Sequence, residues 1–165
     1  MMSFVHIPRT GGTSLLKVFR DWYGDRMISY YSDIEFNEND YDIIFGHKHI
    51  ANSNYILFLR EPYEQQLSYY NYTSRYTKMP SVDEYFSISA STMVKFLPNM
   101  DNALFVGIYE RFEDDVRRLA DLLGKSIDKI PKINSCEIKH EPSVSSRIAF
   151  EENNKYIYEL YNSYL

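Results

Sequence analysis

Short apolar runs rich in β-branched residues alternate with stretches of helical spacing, and this alternation predicts an α/β fold, a three-layer sandwich around a mainly parallel central sheet. Two of the runs, at residues 41–45 and 55–59, are apolar almost throughout, as strands covered on both faces are. Two separate strand-to-helix units can also be traced, each stopped by a glycine. With 165 residues, 44% of them apolar and 25% charged, the chain has the size and composition of one domain, residues 1–165, able to bury its own core.

The first strand is expected over residues 3–7, where Pro8 ends it. A loop of Pro8, Arg9, Thr10, Gly11 and Gly12 follows. Leu15, Val18, Phe19 and Trp22 then fall at helical spacing, with Thr13 or Ser14 to cap the helix and Gly24 to stop it. Further strands are expected at 27–31, 41–45 and 55–59. Pro62 opens a helix to about residue 76, Ser81 and Glu84 form a capping box for another, and 91–97 can form a short third one. A fifth strand at 103–109 leads into a helix in which Phe112, Val116, Leu119 and Leu123 share a face. Acidic residues lead that helix, Arg117 and Arg118 follow, and Gly124 ends it. Residues 125–142 are irregular. Helical spacing returns through Tyr156, Ile157, Leu160 and Tyr161.

Composition narrows the function. The formal net charge of -5 argues against nucleic acid or an anionic membrane as partner of the chain as a whole, so an anionic ligand needs a local cluster. The single cysteine, Cys136, excludes an intrachain disulfide and a cysteine-based metal site. No signal-peptide pattern and no apolar stretch of about 18 residues occurs, which points to a cytoplasmic protein. Sixteen tyrosines supply flat apolar area with a hydroxyl, a composition suited to sugars or bases as well as to ordinary packing. Oligomeric state is not legible.

In His6-Ile7-Pro8-Arg9-Thr10-Gly11-Gly12-Thr13-Ser14-Leu15, a strand enters a glycine loop that opens a helix, an arrangement that turns backbone N–H groups toward a phosphate. The loop lacks the Gly-Lys-Ser/Thr of nucleoside-triphosphate loops, whose hydroxyl holds Mg²⁺. Its residue order resembles the 5′-phosphosulfate loop of sulfotransferases that use 3′-phosphoadenosine-5′-phosphosulfate (PAPS), above all their carbohydrate-type branch. Leu57-Phe58-Leu59-Arg60-Glu61-Pro62-Tyr63 with Ser68 resembles the 3′-phosphate motif of the same family, and Gly46-His47-Lys48-His49 its Gly-His segment. Residues 105–113 and Ile133-Asn134-Ser135 resemble later family segments, the second of which closes over the cofactor.

The resemblance implies a P-loop-like fold and the transfer of a sulfuryl group from PAPS to a hydroxyl or amine. It implies that Arg9, Thr10, Gly11, Gly12, Thr13 and Ser14 hold the 5′-phosphosulfate, that Arg60 and Ser68 hold the 3′-phosphate, and that Asn134 and Ser135 cover the nucleotide. His47, with His49 as the second candidate, would be the base, and no metal is implied. Where the family usually has Lys, this chain has Arg9, which offers charge and hydrogen bonds but no proton. His6, inside the first strand, is expected to be structural. A carbohydrate is the implied acceptor, with a small metabolite or a tyrosine side chain as alternatives. The competing classes are a nucleotide-dependent kinase and a non-catalytic nucleotide-binding module.

Overall fold

The computed structural model describes residues 1–30, 36–47, 54–131 and 137–165. The apolar runs pair side by side into one sheet of β1 (Met2–Val5), β2 (Met27–Tyr30), β3 (Ile43–Gly46), β4 (Asn54–Leu59) and β5 (Ala103–Ile108). The order is β2-β3-β1-β4-β5 and every neighbouring pair is parallel. Central β1 pairs Met2 with Ile43 on one side and with Asn54 on the other.

Strand side chains alternate between two cores, as a period of two requires. Phe4, Ile56 and Phe58 enter one core with Leu15, Val18 and Phe19 of α1 (Gly12–Tyr23) and with Val116 and Leu119 of α4 (Phe112–Leu122). Val5, Tyr55, Leu57 and Leu59 enter the other, with Met93 and with Ile157 and Tyr161 of α6 (Lys155–Asn162). Helices therefore cover both faces, as expected of a sandwich. Phe4 and Phe45 stack at 4.3 Å between ring centroids, and burying each such ring contributes about 1.5–3 kcal/mol. A third cluster joins α2 (Pro62–Thr73), α3 (Val82–Ile88) and α5 (Val144–Asn153) through Leu67, Phe86 and Phe150. Among the described residues no helix is long and apolar enough to cross a membrane.

Several boundaries differ from expectation. β1 stops at Val5: the His6 N–H still meets the Gly46 carbonyl at 2.6 Å, but the next N–H, of Ile7, turns back onto the Val5 carbonyl at 3.1 Å and the chain leaves the ladder there. The N-cap of α1 is Gly11 rather than Thr13 or Ser14, since the chain reaches the helix through a left-handed residue at φ 89°. α2 ends at Thr73, three residues early. The tail is two helices, broken at Asn154. That buried side chain accepts the Ser91 N–H at 2.6 Å and donates to the Ser89 and Phe150 carbonyls, so a polar tether interrupts the helix. The 81–84 cap forms as expected, with Glu84 N–H donating to Ser81 Oγ.

Candidate functional site

In a parallel sheet all strands deliver their carboxyl ends to one edge, where ligand sites form. A cleft of about 1210 Å³ opens at that edge. The loop after β1 contributes His6, Pro8, Arg9 and Gly11, and the first turn of α1 contributes Gly12, Thr13 and Ser14. His47 follows β3, Arg60 follows β4, and Ser68 enters from α2. Segments more than fifty residues apart in sequence thus line one space. Thr10 does not line it: this buried residue turns its hydroxyl away to donate to the Ile7 carbonyl at 2.8 Å. His49, Asn134 and Ser135 lie outside the described residues.

The loop conformation depends on particular residues. Gly11 sits at φ 89°, and a Cβ there would come within 2.6 Å of the Phe112 ring, so both backbone and packing demand glycine. At Gly12 a Cβ would overlap the His6 ring. The helical ladder of α1 opens with Leu15 N–H on the Gly11 carbonyl, so Gly12, Thr13 and Ser14 form its first turn, at the positive end of the helix dipole. Arg9 is a non-glycine residue in the left-handed region, at φ 69°, a conformation that costs about 1–2 kcal/mol unless its surroundings hold it.

Those surroundings are the second motif. Arg60 Nη1 donates to the Arg9 carbonyl at 3.3 Å, and Arg9 Nε donates to Ser68 Oγ at 3.0 Å. The Arg9 guanidinium lies over the Tyr72 ring at 4.9 Å and that of Arg60 over Tyr109 at 4.7 Å. Arg60 Nε is buried with no hydrogen-bond partner among the described residues, a donor whose desolvation is uncompensated until an acceptor reaches it. Glu110, also on the cleft wall, is committed to the scaffold, accepting Glu61 N–H and the Tyr161 hydroxyl, each at 3.0 Å. Among the described residues no group of three or more His, Cys, Asp or Glu is placed to hold a metal ion.

His47 Nδ1 lies 2.6 Å from the His6 carbonyl. A carbonyl only accepts, so Nδ1 carries the proton and the lone pair of the neutral ring sits on Nε2. The His6 ring stacks on His47 at 4.8 Å, and Phe96 packs against His47 at 5.3 Å. Burial, then the charges of His47 and Arg9, lower the His6 pKa to about 4, which keeps that imidazole neutral. Its position corrects the expectation that it lies inside the first strand: β1 ends at Val5, and His6 lines the cleft. The signal available was the Pro8 two positions on, which shortens any strand before it. Phe96 and Tyr72 carried no such signal.

Comparison of the chain with protein-family models, with curated proteins and with solved structures finds no match.

Proposed function

We propose that this chain is a sulfotransferase that moves a sulfuryl group from PAPS to an acceptor hydroxyl or amine, with a carbohydrate as the acceptor class. The observation that carries the proposal is the convergence, in one cleft, of the Arg9 to Ser14 glycine loop, the Arg60 and Ser68 pair and His47. A glycine loop at a helix start suits one anionic group, and the paired Arg60 and Ser68 beside it suit a second. The buried, unpaired Nε of Arg60 fits an anion, because an acceptor there removes a desolvation cost.

When bound, the nucleotide supplies a sulfuryl group attached to phosphate through a bridging oxygen. The N–H groups of Gly12, Thr13 and Ser14 hold the phosphate end, and Arg60 with Ser68 the 3′-phosphate. His47 Nε2 takes the proton of the acceptor hydroxyl as its oxygen bonds to sulfur. The bond from sulfur to the bridging oxygen breaks, and its electron pair leaves on that oxygen. Arg9 answers the charge electrostatically rather than by giving a proton. Since its Nε is bonded to Ser68, Arg9 also shares the 3′-phosphate side with Arg60. Orientation and fixed charge supply most of the catalysis.

The test is a binding comparison of 3′-phosphoadenosine-5′-phosphate (PAP), adenosine-5′-phosphosulfate and Mg-ATP. PAP is expected to bind without Mg²⁺ and, at about 100 times Kd, to stabilise the fold by about 2.7 kcal/mol. A preference for Mg-ATP would overturn the proposal in favour of a kinase. Tight PAP binding with no turnover of PAPS would make the chain a non-catalytic nucleotide-binding module.

A further inference from the structure

α2 carries two adjacent glutamines, Gln65 and Gln66, both fully buried. A buried amide must find partners for its donors and its acceptor, so what these side chains bond shows what they hold. Gln65 Nε2 donates to the Pro8 carbonyl at 2.8 Å, in the glycine loop. Its Oε1 lies 3.1 Å from Thr92 Oγ1, and Gln66 Oε1 accepts the Thr92 N–H at 2.9 Å. The Thr92 hydroxyl is also 3.1 Å from Gln66 Oε1 and shares its one proton between the two amides. Gln66 Nε2 closes the chain on the Tyr85 hydroxyl at 2.7 Å.

Thr92 opens the 3₁₀ turn Thr92–Phe96, and the last residue of that turn packs against His47. One buried amide therefore spans the two halves of the cleft, bonded at one end to the loop before α1 and at the other to the turn that seats His47. We propose that Gln65 is a positioning residue that fixes the spacing between the phosphate loop and His47, acting on the loop through Pro8 and on His47 through Thr92 and Phe96. It touches neither nucleotide nor acceptor. Its effect on nucleotide affinity rests on the function proposed above, whereas its effect on His47 does not.

The experiment follows the His47 ring by NMR, with its signal assigned by its loss in His47→Gln, alongside calorimetry with PAP and thermal melting of the full chain. Gln65→Met keeps the volume and removes both polar ends. Thr92→Val removes only the hydroxyl and leaves the bond from Gln65 to Pro8. Ser146→Ala is the structural control, deleting a hydrogen bond of 2.8 Å to Asp83 on the α3 and α5 side of the molecule. Gln65→Met is expected to shift the His47 signal and weaken PAP about tenfold, the worth of one buried neutral hydrogen bond. Thr92→Val is expected to shift the His47 signal with PAP affinity near wild type, and Ser146→Ala to lower the melting temperature while moving neither. An unchanged His47 signal in Thr92→Val overturns the proposal even where Gln65→Met fails to fold, and so does an equal shift in Ser146→Ala. Failure of the wild type to bind PAP overturns the nucleotide assignment alone, and the His47 signal still decides whether Gln65 positions it.

Discussion

Arg60→Ala should separate two nucleotides that differ only in the 3′-phosphate. The Arg60 side chain is 17% exposed, so its contact with a phosphate is partly desolvated, and truncating such a charged hydrogen bond costs about 2–5 kcal/mol. Affinity for PAP should therefore fall roughly 30-fold to several thousandfold. The substitution also costs stability. It removes a long bond to the Arg9 carbonyl and a stack on Tyr109 worth about 0.5–1 kcal/mol, while the pair with half-exposed Glu64 at 3.6 Å adds almost nothing. Removing the orphaned Nε offsets part of that loss, so the fold should lose no more than about 1–2 kcal/mol. Any damage to the loop is common to both ligands and cancels in their difference. Calorimetry of wild type and variant with PAP and with adenosine-5′-phosphate measures that difference directly. Equal losses for the two nucleotides would refute the assignment and show that Arg60 holds the loop rather than the phosphate.

Two further expectations concern the histidines. His47→Ala should bind PAP like the wild type but turn over about 10²–10⁴-fold more slowly; near-normal turnover would remove His47 as the base. His6, lowered to about 4 against about 6.5 in an unfolded chain, stays neutral where the unfolded state takes up a proton. The stabilisation from this difference is complete above about pH 6.5 and is lost as pH falls toward 4, roughly 3 kcal/mol in all. Urea unfolding across that window should show a steeper loss in the wild type than in His6→Gln, and parallel slopes would contradict a part-buried, neutral His6.

Much of the fold was legible because its signals are local. Strands that must be covered on both faces read as apolar runs, and all five lie where those runs are. Gly11 was legible as part of a loop since only glycine takes φ 89° without strain, and Pro62 as a helix start because its ring fits the first turn. Arg60 and Ser68 were paired in the sequence only through a resemblance, and both line the cleft. α2 was less legible. It buries Gln65, Gln66, Ser68 and Asn71 along with Leu67 and Tyr70, so it shows no clean apolar stripe, and nothing in the pattern marks its glutamines as buried.

The sequence alone determined where the five strands and the helices between Gly12 and Leu122 lie to within a few residues, where the glycine loop lies, and which cations and histidine follow strand ends. Backbone preference and side-chain periodicity act over a few residues, and those features need nothing more. Only the tertiary structure decided that β1 lies between β3 and β4, that Arg9 is held by Arg60 and Ser68, that the His6 ring enters the cleft, and that Gln65 joins Pro8 to Thr92. Each of these is a contact between distant segments. Which face meets which is settled by the burial and hydrogen bonding of the whole chain at once, because a buried polar group is tolerable only where its partner arrives from elsewhere in the fold.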